Sequence, residues 1–422
     1  MSNRMTRARA PMTLILATLA LAAGCGDGGV VGINQPPIVS IQFPQPGNTV
    51  SGVGFIVQAT ATDDRDVRRV EISLDGVVVA TLDEAPYEAF ITSLGVQPGT
   101  YPVRVRAFDE QNAFRDAIVS VSVSARAFRR LTAPEAGIRH TEPAWHPQAV
   151  QIAYARGGTG ANTTKNVYVV SSLATDGLGQ RVTDSALQDG NPSFSPDGAW
   201  IAFESNRTGF YQILALGLAS GEVSPLTNIG FANQRRPSWG KTEGIDSWIV
   251  YDTDRSPASA SRRDLYMVKV AVDADTVTII EPIGQPDLPA DTNNSDDVAP
   301  QWAASGALGV SSNRSAGTHA VTLLDPFQPQ GARVVNGTNQ FLEEEYAPSF
   351  SPHGTFVAFT ERITGAEKVF VVAVEGDGSV RYEVAPGSAG FSDAFDPAWS
   401  PAGSKIAFVS TRSGTAEIWI LE

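Results

Sequence analysis

Cysteine is almost absent. Cys25 stands alone in 422 residues, so no disulfide can form within the chain, and any core must hold by packing. Histidine is scarce as well: His140, His146, His319 and His353 are the full set. His146 and His353 fall at turn positions of the repeat described below, in different copies, which leaves a His-rich metal centre without support. No G-x-S-x-G nucleophile elbow occurs. Past the N-terminus no apolar run approaches the roughly 18 residues of a membrane-spanning helix. Basic residues are in deficit: three of the 31 Lys and Arg lie in the first 24 positions, leaving 28 against 45 acids and a net charge of −17. Phosphate binding relies on a basic surface, so nucleic acid is excluded as a partner, and anionic lipid headgroups with it.

The first 24 residues read as a processing segment. Arg4, Arg7 and Arg9 form a basic start, Met12 to Ala23 a short apolar run, and small residues lead into Cys25. The end of the segment, LALAAGC, resembles the lipobox of bacterial lipoproteins, with Ala22 where that pattern prefers Leu. The resemblance implies that Cys25 is acylated and becomes the mature N-terminus, and that Gly26 after it directs the protein to the outer membrane. Acyl chains would then be the sole membrane attachment, each buried CH₂ contributing about 0.8 kcal/mol. Residues 25 to 36 are rich in Gly and Pro and read as a tether.

From residue 37 the hydrophobic period becomes two. Runs such as IVSIQF, FIVQATAT, RRVEISLDG, VVVATL and YPVRVRAF alternate apolar with polar residues between turn signals. Seven short strands in about 90 residues predict an antiparallel sandwich over 37–125 that acts as a spacer. ATDDRDVRRVEISLDG followed by GTYPVRVRAFDE resembles a bacterial Ig-like domain, here without Cys or Trp in its core.

The rest of the chain repeats itself. NPSFSPDGAWIAFESNRTG is echoed by PSFSPHGTFVAFTERITG and PAWSPAGSKIAFVSTRSG. The anchor Pro-x-aromatic occurs at Pro143/Trp145, Pro192/Phe194, Pro237/Trp239, Pro300/Trp302, Pro348/Phe350 and Pro397/Trp399, spaced 45 to 49 residues apart except for one gap of 63. Such a period, with three or four short strands per copy, predicts a six-bladed β-propeller over 128–422, an all-β fold throughout. A blade alone exposes both faces, and the aromatic after each Pro is placed to fill the gap between neighbours. Burying one such ring contributes about 4 to 6 kcal/mol as an upper estimate. An unmatched FRRLT, residues 128–132, corresponds to the RVT and PLT that follow third strands elsewhere. It is expected to supply the fourth strand of the last blade.

The grammar RLT, P-x-W-S-P-D-G, IAF-x-S-x-R-x-G resembles the TolB-like propeller family from about Phe128 to Glu422. TolB carries an α/β domain where this chain has the sandwich. The resemblance implies protein or peptidoglycan-associated partners at one mouth of the channel. Propellers related by fold include Mn-dependent pectate-fragment lyases that use several histidines, of which only His140 has a counterpart position here. A carbohydrate-active enzyme, a polysaccharide lyase or hydrolase working in the channel, is therefore the competing reading, and an envelope scaffold a third.

The five residues before each anchor Pro lead into the innermost strand, so six loops are expected to converge on one mouth. They hold nine acids (Glu142, Asp189, Asp296, Asp297, Glu343, Glu344, Glu345, Asp393, Asp396) and three arginines (Arg139, Arg235, Arg236), a net of −6 in 30 residues. Either these are solvated polar loops, or the mouth focuses negative potential on a basic peptide, a cationic ligand or a divalent ion, with Arg235 and Arg236 orienting it. The expected protein is a monomeric, non-enzymatic binding protein that needs no cofactor.

Overall fold

A computed structural model of the chain describes residues 34–160, 163–228, 230–243, 246–254, 263–273, 276–281, 296–303, 305–313, 319–325, 328–335, 347–376 and 378–422. Among these the only helix is one 3-10 turn, Gly387–Ala389; the regular structure is otherwise β. Cys25, the tether up to residue 33, and Glu343, Glu344 and Glu345 lie outside the described residues.

The first two sheets form the sandwich. Ile38–Phe43, Gly54–Thr62 and Tyr87–Thr92 make a three-stranded sheet. Opposite it, Thr49–Val50, Phe114–Val123, Gly99–Asp109, Val67–Leu74 and Val77–Leu82 pair in that spatial order as a five-stranded sheet. Alternation puts Val57, Val70, Ile72, Val103, Val105 and Val121 into the space between them, each fully buried. The core is aliphatic with buried Phe55 and Tyr87, and holds neither Cys nor Trp.

Six four-stranded antiparallel sheets follow among the described residues. The first holds Ile138–Trp145, Gln151–Gly158, Lys165–Ser171 and Gln180–Arg181, and the later ones begin at Asp189, Gln234, Asp297, Ser349 and Phe395. The sixth combines Phe395–Trp399, Ile406–Ser410 and Glu417–Leu421 with Phe128–Arg130, which pairs Arg130 to Trp419 and Phe128 to Leu421. The early strand closes the ring on the late one.

Each anchor aromatic packs on the preceding blade. Phe194 lies with Ala153 and Val167, Trp239 with Ala202 and Leu226, Phe350 with Val321 and Val335, and Trp145 with Ala398, Ala407 and Ile418. The small residue between Pro and aromatic has its own part. Where it is serine, its hydroxyl accepts the N–H of the next blade's anchor: Ser193 from Trp239, Ser238 from Trp302 and Ser349 from Trp399, at 2.8 to 3.2 Å.

The threonine of RLT also has a structural reason. Thr183 and Thr227 accept the N–H of Val167 and Ile213 at the start of third strands, and Thr132 accepts that of Ile418 in the last blade. Thr132 in turn donates to buried Glu417, which His140 also reaches at 2.6 Å. His140 is thus part of the closure, packed edge-on against Tyr154.

The sandwich is not joined to the ring by a free hinge. Val53, Phe90 and Leu94 share one buried cluster with Ala358, Trp399 and Phe408 of the last two blades. The Val53 N–H donates to the Ser404 carbonyl at 2.8 Å. A spacer mounted this way holds a fixed pose.

Candidate functional site

The innermost strand of five blades carries the anchor proline, which in the fifth blade, as Pro348, directly precedes the strand, and the proline dictates its shape. Proline has no N–H to give to a ladder, so a sheet accommodates it best at a bulge. In five blades the pair Glu142-Pro143, Asn191-Pro192, Arg236-Pro237, Ala299-Pro300 or Asp396-Pro397 stands opposite one residue of the second strand, where the register slips. The residue before the proline takes a left-handed conformation, φ 47 to 58°. Proline disfavours the right-handed helical region in the residue before it. The bulge uses the left-handed alternative to aim that residue at the axis.

The freed N–H of each bulge finds a side chain on the preceding blade. Asn191 donates to Glu142 at 2.6 Å, Arg236 to Glu204 at 3.0 Å, Ala299 to Asp252 at 3.3 Å, Asp396 to Thr360 at 3.1 Å and Glu142 to Asp396 at 3.4 Å. Carboxylates around the axis are therefore acceptors for a strained backbone before they are anything else. Cations brace them: Lys165 lies 2.9 Å from Glu142 and 4.0 Å from Glu204, and Arg236 grips Asp252 through two bonds of 2.7 and 3.0 Å. Burial works against the Lys165 ammonium, but Glu142 and Glu204 outweigh it and hold its pKa above the lysine range. Burial raises the carboxyl of Glu204, with Lys165 opposing and Glu142 reinforcing.

The charged residues expected at the mouth sort by their place in this bulged strand. Glu142, Arg236 and Asp396, directly before a proline, line the channel. Asp189 and Asp297, three residues before it, are buried and do not line the channel; Asp189 is held by Arg207 at 2.7 Å. Asp296 accepts from Arg263 and lies 3.6 Å from His319, and Asp393 accepts from Ser410 and Thr411. Arg235 stacks over Tyr211 at 3.9 Å. Glu344 and Glu345 fall outside the described residues. The five residues of a loop are thus not equivalent: the one at the bulge lines the channel, and the acid two residues earlier is buried in the blade. The sequence count missed Glu204, Asp252 and Lys165, which lie on second and third strands; the shared position of Glu204 and Asp252 after the IAF-type aromatic was the available signal.

The channel has a volume of about 920 Å³. Its wall is the ring of prolines and anchor aromatics, and its far end is made by the S-P-D-G turns, including Pro147, Pro196, Pro352 and Pro401. Beside the charged end opens a second cavity of about 320 Å³ between blades one, five and six. It shares Glu142 and Asp396 with the channel and adds Arg139, Lys165, Arg362 and Glu367. Among the described residues no group of three or more His, Cys, Asp or Glu is placed to hold a metal ion.

Known proteins resemble both parts of the chain. Solved structures similar to it include TolB from Acinetobacter baumannii, at 18% identity over 72% of this chain and 80% of that one, TM-score 0.47. Another is an oligogalacturonate lyase from Vibrio parahaemolyticus, at 10% identity over 71% and 97%, TM-score 0.43. Fibronectin(III)-like modules of CbhA from Clostridium thermocellum are 28% identical over 21% of this chain and 97% of theirs, TM-score 0.19. Residues 37–105 match the family model of the bacterial Ig domain, so the sandwich is an Ig-like domain by sequence as well as by its two sheets.

Proposed function

We propose that this chain is a lipid-anchored binding protein of the bacterial envelope, held at the outer membrane through acylated Cys25, whose propeller recognises a protein, peptide or cell-wall-associated partner without turning it over. The observation that carries the reading is the channel: a concave space of about 920 Å³, lined by prolines, aromatics and small polar residues, with a few charged groups, Glu142, Arg236 and Asp396, at one end. A concave wall with a few fixed polar groups is the usual make-up of a recognition site. The hydrogen bonds from bulge N–H groups keep Glu142 and Asp396 in place before any partner arrives, which lowers the ordering cost of binding. The net negative charge of the chain favours a basic partner segment at long range. His140 supports the non-enzymatic reading, because its ring is spent on Glu417 and Tyr154.

The test is capture from solubilised envelope on the full chain, compared with an Asp396→Asn, Glu142→Gln variant whose melting temperature is unchanged. Partner yield is expected to fall by about tenfold or more, and to fall with rising salt in the parent protein. Equal capture by both forms refutes the channel mouth as the site. For the anchor, Cys25→Ser is expected to move the protein to the soluble fraction and abolish fatty-acid labelling.

A further inference from the structure

One edge of the sandwich is left open. Val77–Leu82 ends the five-stranded sheet: it pairs with Val67–Leu74 on one side and with no strand on the other among the described residues. Its sequence, VVVATL, holds no charge and no proline. Ile72 lies opposite Ala80 and Ser73 opposite Val78, which leaves Val79 as an extra residue in a bulge. Val77, Val78 and Val79 are 67, 47 and 44% exposed. An uncovered strand offers a row of unpaired N–H and C=O groups, and natural sheets blunt it with charge, proline, shortness or a bulge. The propeller does so: Gln180–Arg181, Val223–Pro225 and Arg381–Glu383, outer strands of their blades, are two or three residues long and carry Arg, Pro or Glu. On Val77–Leu82 the bulge is the sole such device, and it presents valines to solvent instead of hiding them. Charge is confined to the two ends. Asp75 before the strand and Asp83 and Glu84 after it are exposed, and their carboxylates meet no cation or hydrogen-bond donor among the described residues.

We propose that this edge receives a strand from a partner protein, an extended apolar segment with Lys or Arg at both ends that adds to the sheet beside Val77–Leu82. A second copy of this chain fits neither way round. Antiparallel pairing would bring Asp75 of one copy to the Asp83 and Glu84 end of the other, twice over, and parallel pairing would set each acid beside its own duplicate. Like charges directly opposite are destabilising. A strand with bare ends leaves the three carboxylates unanswered, whereas basic flanks meet them at both ends, and the chain's net charge of −14 draws a basic segment in. Backbone bonds then supply affinity, and the exposed valines and end charges supply selectivity and register. The edge belongs to the sandwich, so the site does not depend on what the channel takes.

The probes are the peptide VTVTVT flanked by paired lysines and its twin flanked by paired glutamates, each titrated against the full chain. The lysine-flanked peptide is expected to bind with a Kd of about 1 mM or tighter, about tenfold or more below that of its twin, and to weaken as salt rises. Hydrogen exchange should slow within Val77–Leu82. Val78→Lys and Thr81→Lys, both at exposed positions, are each expected to weaken binding by about tenfold or more with the melting temperature unchanged. Asp75→Lys combined with Asp83→Lys is expected to turn the preference toward the glutamate-flanked peptide. The Asp396→Asn, Glu142→Gln channel variant should bind the lysine-flanked peptide as the parent does, so this edge and the channel mouth are told apart. Four results would each overturn the site: no binding at about 5 mM, equal affinity for the two peptides, protection elsewhere than Val77–Leu82, or self-association of the parent that Val78→Lys abolishes, which would make a second copy the occupant.

Discussion

Blade four shows how one missing methyl group is used. Where the second strands of other blades place Ala153, Ala202, Val250, Ala358 and Ala407, this one has Gly309. A Cβ added there would stand 2.2 Å from Cε2 and 2.4 Å from Cζ of Phe350, the anchor of the next blade. The ring therefore occupies the volume that alanine fills elsewhere. Gly309→Ala is expected to lower stability by about 1–3 kcal/mol through overpacking, against the mild gain that Gly to Ala gives in an unobstructed strand. Urea denaturation of the two forms checks this, and Gly309→Ala with Phe350→Leu should recover part of the loss. The anchor's role was legible in the sequence because Pro-x-aromatic recurs at a fixed period. The glycine beneath it was not, since QWAASGALGV departs from the repeat and nothing local says which neighbour supplies the missing bulk.

At the scale of the strand, the closure segment was readable and the bulge was not. FRRLT matched third-strand successors by spelling, and residues 128–130 do pair with the last blade. The bulge before each anchor proline depends on how proline without its N–H fits a twisted ladder, and no residue-type signal marks a left-handed Glu, Asn, Arg, Ala or Asp. Asp189 and Asp297, expected at the mouth, are instead buried, and neither lines the channel. The closing strand also carries a pH signature. Arg129 bonds the Glu422 carboxylate at 2.8 and 3.0 Å, and Lys405 joins at 2.8 Å. The bond from Arg129 is the main cause that lowers the Glu422 pKa to about 2, burial opposing it and Lys405 assisting. A carboxyl lowered in the folded state stabilises it fully above the ordinary carboxylate pKa of about 4.3 and loses that contribution as pH falls through the folded value. Glu422→Gln is therefore expected to cost about 1–3 kcal/mol at neutral pH, an amount reduced by the partial exposure of the pair. The two proteins should converge between about pH 5 and pH 2. Melting curves across that range that stay parallel would show the pair to be idle.

For the chain from the sandwich onward, the decisive feature is the shared core between Ig-like domain and propeller. Phe90 lies among His353, Phe356 and Trp399 with ring centroids 5.9 to 6.1 Å apart, and Val53 and Leu94 are fully buried beside it. No sequence pattern announced this, because Phe90 satisfies the strand alternation of its own sheet and the residues it meets satisfy their repeat. The contact is narrow in one place. Gly52 has φ +76°, and a Cβ on it would fall 2.0 Å from the Ser404 carbonyl oxygen, a backbone atom that cannot turn aside. Gly52→Ala should therefore break the Val53 to Ser404 hydrogen bond and pry the domains apart while leaving both separate cores intact. Phe90→Ala, which removes a buried ring at a cost of about 3–5 kcal/mol, should act on the same joint by a different route. Scanning calorimetry is expected to give one transition for the parent protein and two for either variant, with small-angle scattering reporting a larger radius of gyration. A single undivided transition in both variants would mean that the linker at residues 124–127, where Ala127 exchanges two backbone bonds with Glu422, suffices to couple the domains, and that the shared core is not what fixes the sandwich against blades five and six.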